Sequence, residues 1–385
     1  MSRATINPLI LIWARERSSL NQSELAKKIG VNEDLLRKIE DGKEFPTLRQ
    51  AQFLANVLHI PFGYLFLSEI PKTISPIADF RTVPEKQKGH FSIGLEETIN
   101  DALRKRDWLH DWRIQEGWEP NEFIGKYNIS NEPKDIAVDI REKLKLEKIP
   151  GKKFRTWEDH LKSFVSKTEE AGIIVLQNSI VINDTHRHLS VNEFRGFTII
   201  DNYAPVIFIN TSDSISGRIF TLGHELAHIW IGSGGISNPS PSEALNLSRI
   251  EKFCNLVSAE LLIPTDEFRE IWKNIRTKDI FEKSQEIAEL FKVSVFSILI
   301  REYEQQLISR DIFYSLYQIA ESKIEPIMQN SEAKGTFYNT WRVRNSRVFV
   351  QEVLSALRQG DVMYREAAQI LNVHPKTLDG VMQRF

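Results

Sequence analysis

The sequence predicts a mostly α protein with one small α+β domain, and three observations carry that reading. Residues 8–67 break into short amphipathic helical runs separated by glycines and capping residues. After Phe154 the composition turns to short β-branched runs at 173–176, 196–200 and 206–209, the pattern of strands in a small sheet. Helical periodicity then returns over 216–307 and again in the last stretch, 364–385.

Taken in order, Leu9-Ile10-Leu11-Ile12-Trp13 opens a first helix, and Ser23 to Ile29 forms a second that Gly30 stops, since glycine tolerates the left-handed conformation of a helix end. Asn32 can cap a third helix running to Glu40, with Gly42 beyond its end. Pro46-Thr47-Leu48 starts a fourth, with Ala51, Leu54, Ala55 and Leu58 on one face. Helix, glycine-containing turn, helix is the helix-turn-helix arrangement. The segmentation expected is therefore a helix-turn-helix at 1–70, a helical connector contributing to the next domain's surface at 71–153, a small α+β domain at 154–310 and a helical C-terminal region with a helix-turn-helix-like end at 311–385. Displaced by 342 positions, Glu366, Ala368, Val373 and Leu378 fall on Glu24, Ala26, Val31 and Leu36, and Asn372 falls on Gly30. That is either a second helix-turn-helix or the small-and-apolar spacing any short helical hairpin repeats.

The chain has 385 residues, enough for two or three cores, and its 50 Lys and Arg against 52 Asp and Glu leave a net charge of -2. No global field draws it to nucleic acid or anionic membrane, so DNA binding would need a local patch. One cysteine, Cys254, excludes a disulfide framework and fits a reducing compartment. The N-terminus lacks an apolar signal core and no stretch has the apolar length of a membrane span, so the cytoplasm is the expected location.

The strongest chemical feature is His224-Glu225-Leu226-Ala227-His228, in a helix predicted over 218–231 with Ser216 as its cap. Residues four apart share a helix face, so both imidazoles can bind one ion while Glu225 reaches a water beside it. A catalytic zinc takes three protein ligands, so a third is expected downstream. At about 100° per residue, Asn255, Ser258 and Leu262 lie within about 40° of Glu251 on a helix over 248–262, and Glu260 lies opposite. Glu251 is thus a candidate ligand with Asn255 behind it; Glu243 and Cys254 are rivals. His186 and His188 are assigned to a solvated loop between strands, and Arg195, Tyr203 and Arg218 are candidates for steadying an oxyanion.

The sequence resembles the ImmA/IrrE-type metallo-endopeptidases joined to an Xre-type N-terminal helix-turn-helix. The matching segments are Phe194-Arg195-Gly196-Phe197, Ala204-Pro205-Val206-Ile207-Phe208-Ile209-Asn210, Phe220 through His228, and Glu251 through Pro264. The resemblance implies a zincin-like peptidase domain, Zn2+ held by His224, His228 and Glu251, and metal-assisted peptide hydrolysis in which Glu225 takes a proton from water and returns it to the leaving amine. It implies a protein substrate, a repressor or the product of an adjacent gene, and DNA binding through 1–70, where Asn32, Glu33, Asp34, Arg37 and Lys38 are the candidate contacts. Glu33 and Asp34 at the leading end of that helix oppose phosphate, although a carboxylate can accept from cytosine. The other reading is a DNA-binding regulator, or an antitoxin-like partner of a neighbouring toxin, with a vestigial or structural metal site. The basic run Trp341 to Arg347 is a further nucleic-acid candidate, or a solvated helix face.

Overall fold

The computed structural model describes residues 3–18, 20–71, 91–237, 249–323 and 337–384. Its contacts divide them into two compact units, one of residues up to 99 and one from 100 onward, the division falling inside helix α5 (Ile93–Gln115).

In the first unit four helices follow from their caps. Asn7 accepts from Leu9 N to start α1 (Pro8–Arg17), and a reciprocal box between Asn21 and Glu24 starts α2 (Gln22–Ile29). Gly30 turns the chain at φ +71°, and Asn32 caps α3 (Glu33–Glu40). A Thr47–Gln50 box starts α4 (Leu48–Val57). Leu11, Leu25, Leu36 and Leu54 meet in the core, where each buried side chain contributes about 1.5–3 kcal/mol. Glu40, buried at the end of α3, is satisfied by Arg15 at 2.6 Å and by Gln22 at 2.6 Å.

The second unit is built on a four-stranded sheet in the order β1-β5-β4-β6. β1 (Ile174–Asn178) runs parallel to β5 (Val206–Asn210), with Ile174 opposite Val206, while β4 (Gly196–Ile199) is antiparallel to both β5 and β6 (Gly235–Ser237). Every residue of β5 is buried, as a strand covered on both faces requires. Ile207 and Ile209 join the main core with α6 (Pro133–Leu144), α7 (Trp157–Glu170), α8 (Ile215–Trp230) and α9 (Arg249–Leu262). Phe197 and Phe208 stack on each other with ring centroids 5.0 Å apart, and Phe194 packs beside both.

Three features differ from the sequence reading. His186 and His188 stand on a strand, β3 (Asp184–His188), which pairs with β2 (Ile180–Val181); the segment is polar and its partner two residues long, so no alternation marks it, but both rings are exposed as expected. Helix α8 starts three residues before Arg218, and its cap is Ser214, whose hydroxyl accepts from Gly217 N at 3.1 Å, not Ser216. And α6 is not surface: Ile136, Ala137, Ile140 and Leu144 are core residues against α8 and α9, because its apolar stripe is the lining that α9 needs.

Helices α10 (Thr265–Asn274), α11 (Ile280–Phe291), α12 (Val295–Glu304) and α13 (Arg310–Ser322) follow α9, and Arg301 of α12 pairs with Glu260 on the side of α9 away from Glu251. The tail comprises α14 (Phe337–Arg344), α15 (Arg347–Gln359), α16 (Tyr364–Ile370) and α17 (Pro375–Met382). Arg113 of α5, wholly buried, donates to the carbonyls of Gly172 and Tyr203 at 2.8 and 2.6 Å and to Glu352 of α15 at 2.6 Å.

Candidate metal centre

Helix α8 carries Leu222, Leu226 and Ile229 into the core and, on an adjoining face, turns His224 and His228 toward α9. The two helices cross closely because a glycine, Gly223, lies opposite Ser258; a Cβ at 223 would stand 2.8 Å from the Ser258 hydroxyl, which donates to Phe220 O at 3.1 Å. That proximity brings Glu251 to the imidazoles. His224 Nε2 is 3.1 Å from His228 Nε2 and 3.1 Å from Glu251 Oε2, and His228 Nε2 is 3.3 Å from Glu251 Oε1.

The outer nitrogens of both rings are taken. His224 Nδ1 is 2.8 Å from Asn255 Oδ1, and His228 Nδ1 is 2.7 Å from the carbonyl of Ser233. Each Nδ1 therefore carries a hydrogen and donates it, which leaves the Nε2 lone pairs pointing at one another and at a carboxylate. Three acceptors converging are repulsive unless a positive charge, a metal ion or a proton on His228, lies among them. Ligand distances of about 2.0–2.1 Å at a tetrahedral centre imply donor separations of about 3.3 Å, close to those found. The three residues could hold a metal ion.

Burial pushes the Glu251 carboxyl up, but the two imidazoles outweigh it and hold the group well below the usual carboxylate range. Burial likewise disfavours charge on His228, yet the Cys254 sulfur and Glu251 pull its pKa well above the ordinary value. Cys254 is itself kept a thiol by burial, so the lasting negative charge is that of Glu251, and it favours a cation between the rings. His224, Glu225, His228 and Glu251 are all at most 4% exposed, which removes water's screening from these interactions.

Glu225, next along α8, faces β4. Thr198 Oγ1 donates to its Oε2 at 2.6 Å, and Gly196 allows the approach, since a Cβ there would meet Glu225 Oε1 at 3.0 Å and Phe208 O at 2.9 Å. Neither Thr198 nor Ser233 was singled out by sequence: their roles depend on how β4 and the end of α8 are placed, and only the spacing of residues within one helix is readable beforehand. Among the other sequence candidates, Cys254 is buried beside His228 but outside the ligand set, and Glu243 lies outside the described residues. Arg195 is paired with Asp213 at 2.5 Å, the Tyr203 ring packs edge-on to His110 at 5.3 Å, and burial lowers the pKa of Arg218.

Two anchored imidazoles and a carboxylate thus converge as a donor set that could hold a metal ion, with a second carboxylate on the strand side. Residues 143–302 match the IrrE N-terminal-like domain, a peptidase family. Residues 11–65 match a helix-turn-helix model. No curated protein matches the chain. The IrrE-like domain thus takes in α7, the sheet, α8 and α9, and with them every residue of the metal centre. In the helix-turn-helix, Asn32 Oδ1 is occupied in accepting from Asp34 N at 2.9 Å, Glu33 pairs with Arg37 at 3.4 Å, and Lys38 lies 3.6 Å from Glu44. Asp34, Arg37 and Lys38 form the exposed side of α3. No described helix is long and apolar enough to cross a membrane.

Proposed function

We propose that the chain is a zinc-dependent endopeptidase that cleaves a regulatory protein, a repressor or the product of an adjacent gene, and whose N-terminal helix-turn-helix directs it to DNA. The observation that carries the peptidase reading is the convergence of His224 Nε2, His228 Nε2 and Glu251 with each Nδ1 already anchored. Two nitrogens and one carboxylate oxygen are the donor set of a catalytic zinc, which keeps a fourth position open. When bound, zinc supplies the Lewis acidity that opens a peptide carbonyl to attack.

The protein's own residues do the rest. Glu225 accepts a proton from the attacking water and hands it to the departing amine. Thr198, donating to Glu225 Oε2, fixes the carboxylate's rotation and leaves Oε1 as the atom to take the proton. Asn255 and the Ser233 carbonyl hold the imidazoles in the tautomer that presents Nε2. A purely structural metal site has no use for Glu225, and its presence beside the ligands favours catalysis over the reading of a regulator with a vestigial site.

The test is incubation of the purified protein with candidate repressors and adjacent-gene products, followed by mass spectrometry of fragments and metal analysis. Glu225→Gln should retain metal and lose at least 100-fold in cleavage rate, the scale of general-base catalysis. Equal cleavage by that variant would remove Glu225 from the mechanism, and a protein that takes up no zinc would end the peptidase reading. A gel shift at two salt concentrations tests the DNA half; no salt-sensitive shift at micromolar protein would refute it.

A further inference from the structure

The tail repeats the N-terminal helix-turn-helix in atomic detail. Asn32 corresponds to His374, a displacement of 342, and at that displacement α3 (Glu33–Glu40) coincides end for end with α17 (Pro375–Met382), while α2 (Gln22–Ile29) coincides with α16 (Tyr364–Ile370) to within one residue. The turns agree: Gly30 has φ +71° and Asn372 φ +52°, and Val31 N donates to Ala26 O at 3.0 Å as Val373 N does to Ala368 O at 2.9 Å. The caps of α3 and α17 agree, Asn32 accepting from Asp34 N and His374 Nδ1 from Lys376 N, whereas Met363 gives α16 no side-chain cap where Asn21 caps α2. So do the inward positions, Leu25, Ala26, Leu36 and Ile39 against Ala367, Ala368, Leu378 and Val381, all buried. A chance helical hairpin shares small and apolar residues at such offsets; it does not share cap register, turn conformation and hydrogen bonding as well.

We propose that this second helix-turn-helix is a DNA-binding site in its own right, gripping the phosphate backbone of a duplex through α16 and α17. Charge decides the partner. Residues 337–384 carry seven Lys and Arg against four Asp and Glu, a net +3 in a chain whose total is -2. Of the four acids, Glu352 is spent on Arg113 and Asp379 accepts from Tyr364 OH at 2.6 Å. At the leading end of the recognition helix, where α3 presents Asp34, α17 presents Lys376, and Arg365 replaces Ser23 at the start of the preceding helix. Arg365 and Lys376 are exposed and make no ion pair among the described residues. Asn372, held by Asp101, Arg104 and Asn183, seats the motif firmly on its unit, so docking costs little ordering.

The experiment measures binding of the full chain to a fluorescent duplex of mixed sequence at several salt concentrations. The variant R365E with K376E should bind at least tenfold more weakly, and its log-log salt slope should be shallower by about 2, one phosphate contact per cation. E366K should bind more tightly than the wild type. R37E with K38E reports on the first helix-turn-helix separately. An unchanged affinity and slope for R365E with K376E would overturn the proposal, as would loss confined to R37E with K38E or the absence of any salt-sensitive binding by the wild type. Both tail positions are solvent-exposed, and an unaltered thermal midpoint confirms that each variant is folded.

Discussion

Asn255 touches no reacting atom, yet it sets what His224 can do. Its Oδ1 takes the Nδ1 hydrogen and thereby commits Nε2 to the ion; His228 receives the same service from the main-chain carbonyl of Ser233, which no side-chain substitution can remove. The two ligands should therefore respond unequally to mutation around them. Asn255→Ala is expected to weaken zinc binding 10–100-fold, read by competition with a chromophoric chelator, the usual size of such outer contacts. Thr198 gives a complementary case on the side of Glu225. Thr198→Val removes the hydroxyl without changing shape and should lower turnover about 10–100-fold with metal content and KM preserved, while Thr198→Ser restores it. A Val variant as active as wild type would show the hydrogen bond to be incidental. At this scale the pairing of His224 with His228 was legible, because residues four apart share a helix face; spacing left Glu251 beside Glu243 and Cys254 and the family resemblance singled it out, while Thr198 and Ser233 were not legible, because tertiary placement alone brings them to the site.

Between elements, the approach of α8 to α9 rests on Gly223. Gly223→Ala inserts a Cβ 2.8 Å from Ser258 Oγ, so that hydroxyl must turn away from Phe220 O or the helices must part, and parting moves Glu251 from the imidazoles. Loss of zinc with a destabilisation of about 1–3 kcal/mol is expected, measured by metal analysis and denaturant melts. The seam between α7 and the tail has a pH dependence of its own. Burial raises the Glu169 carboxyl to about 7, against hydrogen bonds from Ser346 and from Arg347 N and the charges of Arg347 and Arg342. A carboxyl raised above its unfolded value holds its proton more tightly in the folded protein, so stability falls as pH rises from about 4.5 through 7. Glu302, raised to about 7 by burial beside Ser284, acts in the same direction. The thermal midpoint should drop between pH 5 and 8, and drop less in Glu169→Gln; equal slopes would place the titration elsewhere. The elements themselves were readable where a cap or a β-branched run marks them, as Asn32 and 206–209 do. β2, β3 and β6 were missed since short, polar or glycine-bearing strands owe their conformation to their neighbours.

For the whole molecule, metal and fold are linked, since an ion bound by α8 and α9 together binds only the folded state. Chelation should lower the thermal midpoint of the second unit, by an amount that grows with free zinc over Kd as RT ln(1 + [L]/Kd). The first unit, whose core contains no centre residue, should melt unchanged. Calorimetry that shows both transitions shifting together would contradict this independence. The sequence suggested dividing the chain near 310. Arg113 argues against cutting it there. Its guanidinium is sealed inside the second unit with Glu352 as its counter-charge, and leaving such a cation uncompensated costs about 3–5 kcal/mol, a large share of the roughly 5–15 kcal/mol that keeps a domain folded. A fragment trimmed of its tail would leave the Arg113 guanidinium without its carboxylate partner. Anyone isolating the IrrE-like domain should therefore keep the chain through α17, and read inactivity of a shorter piece as misfolding before reading it against the proposed activity.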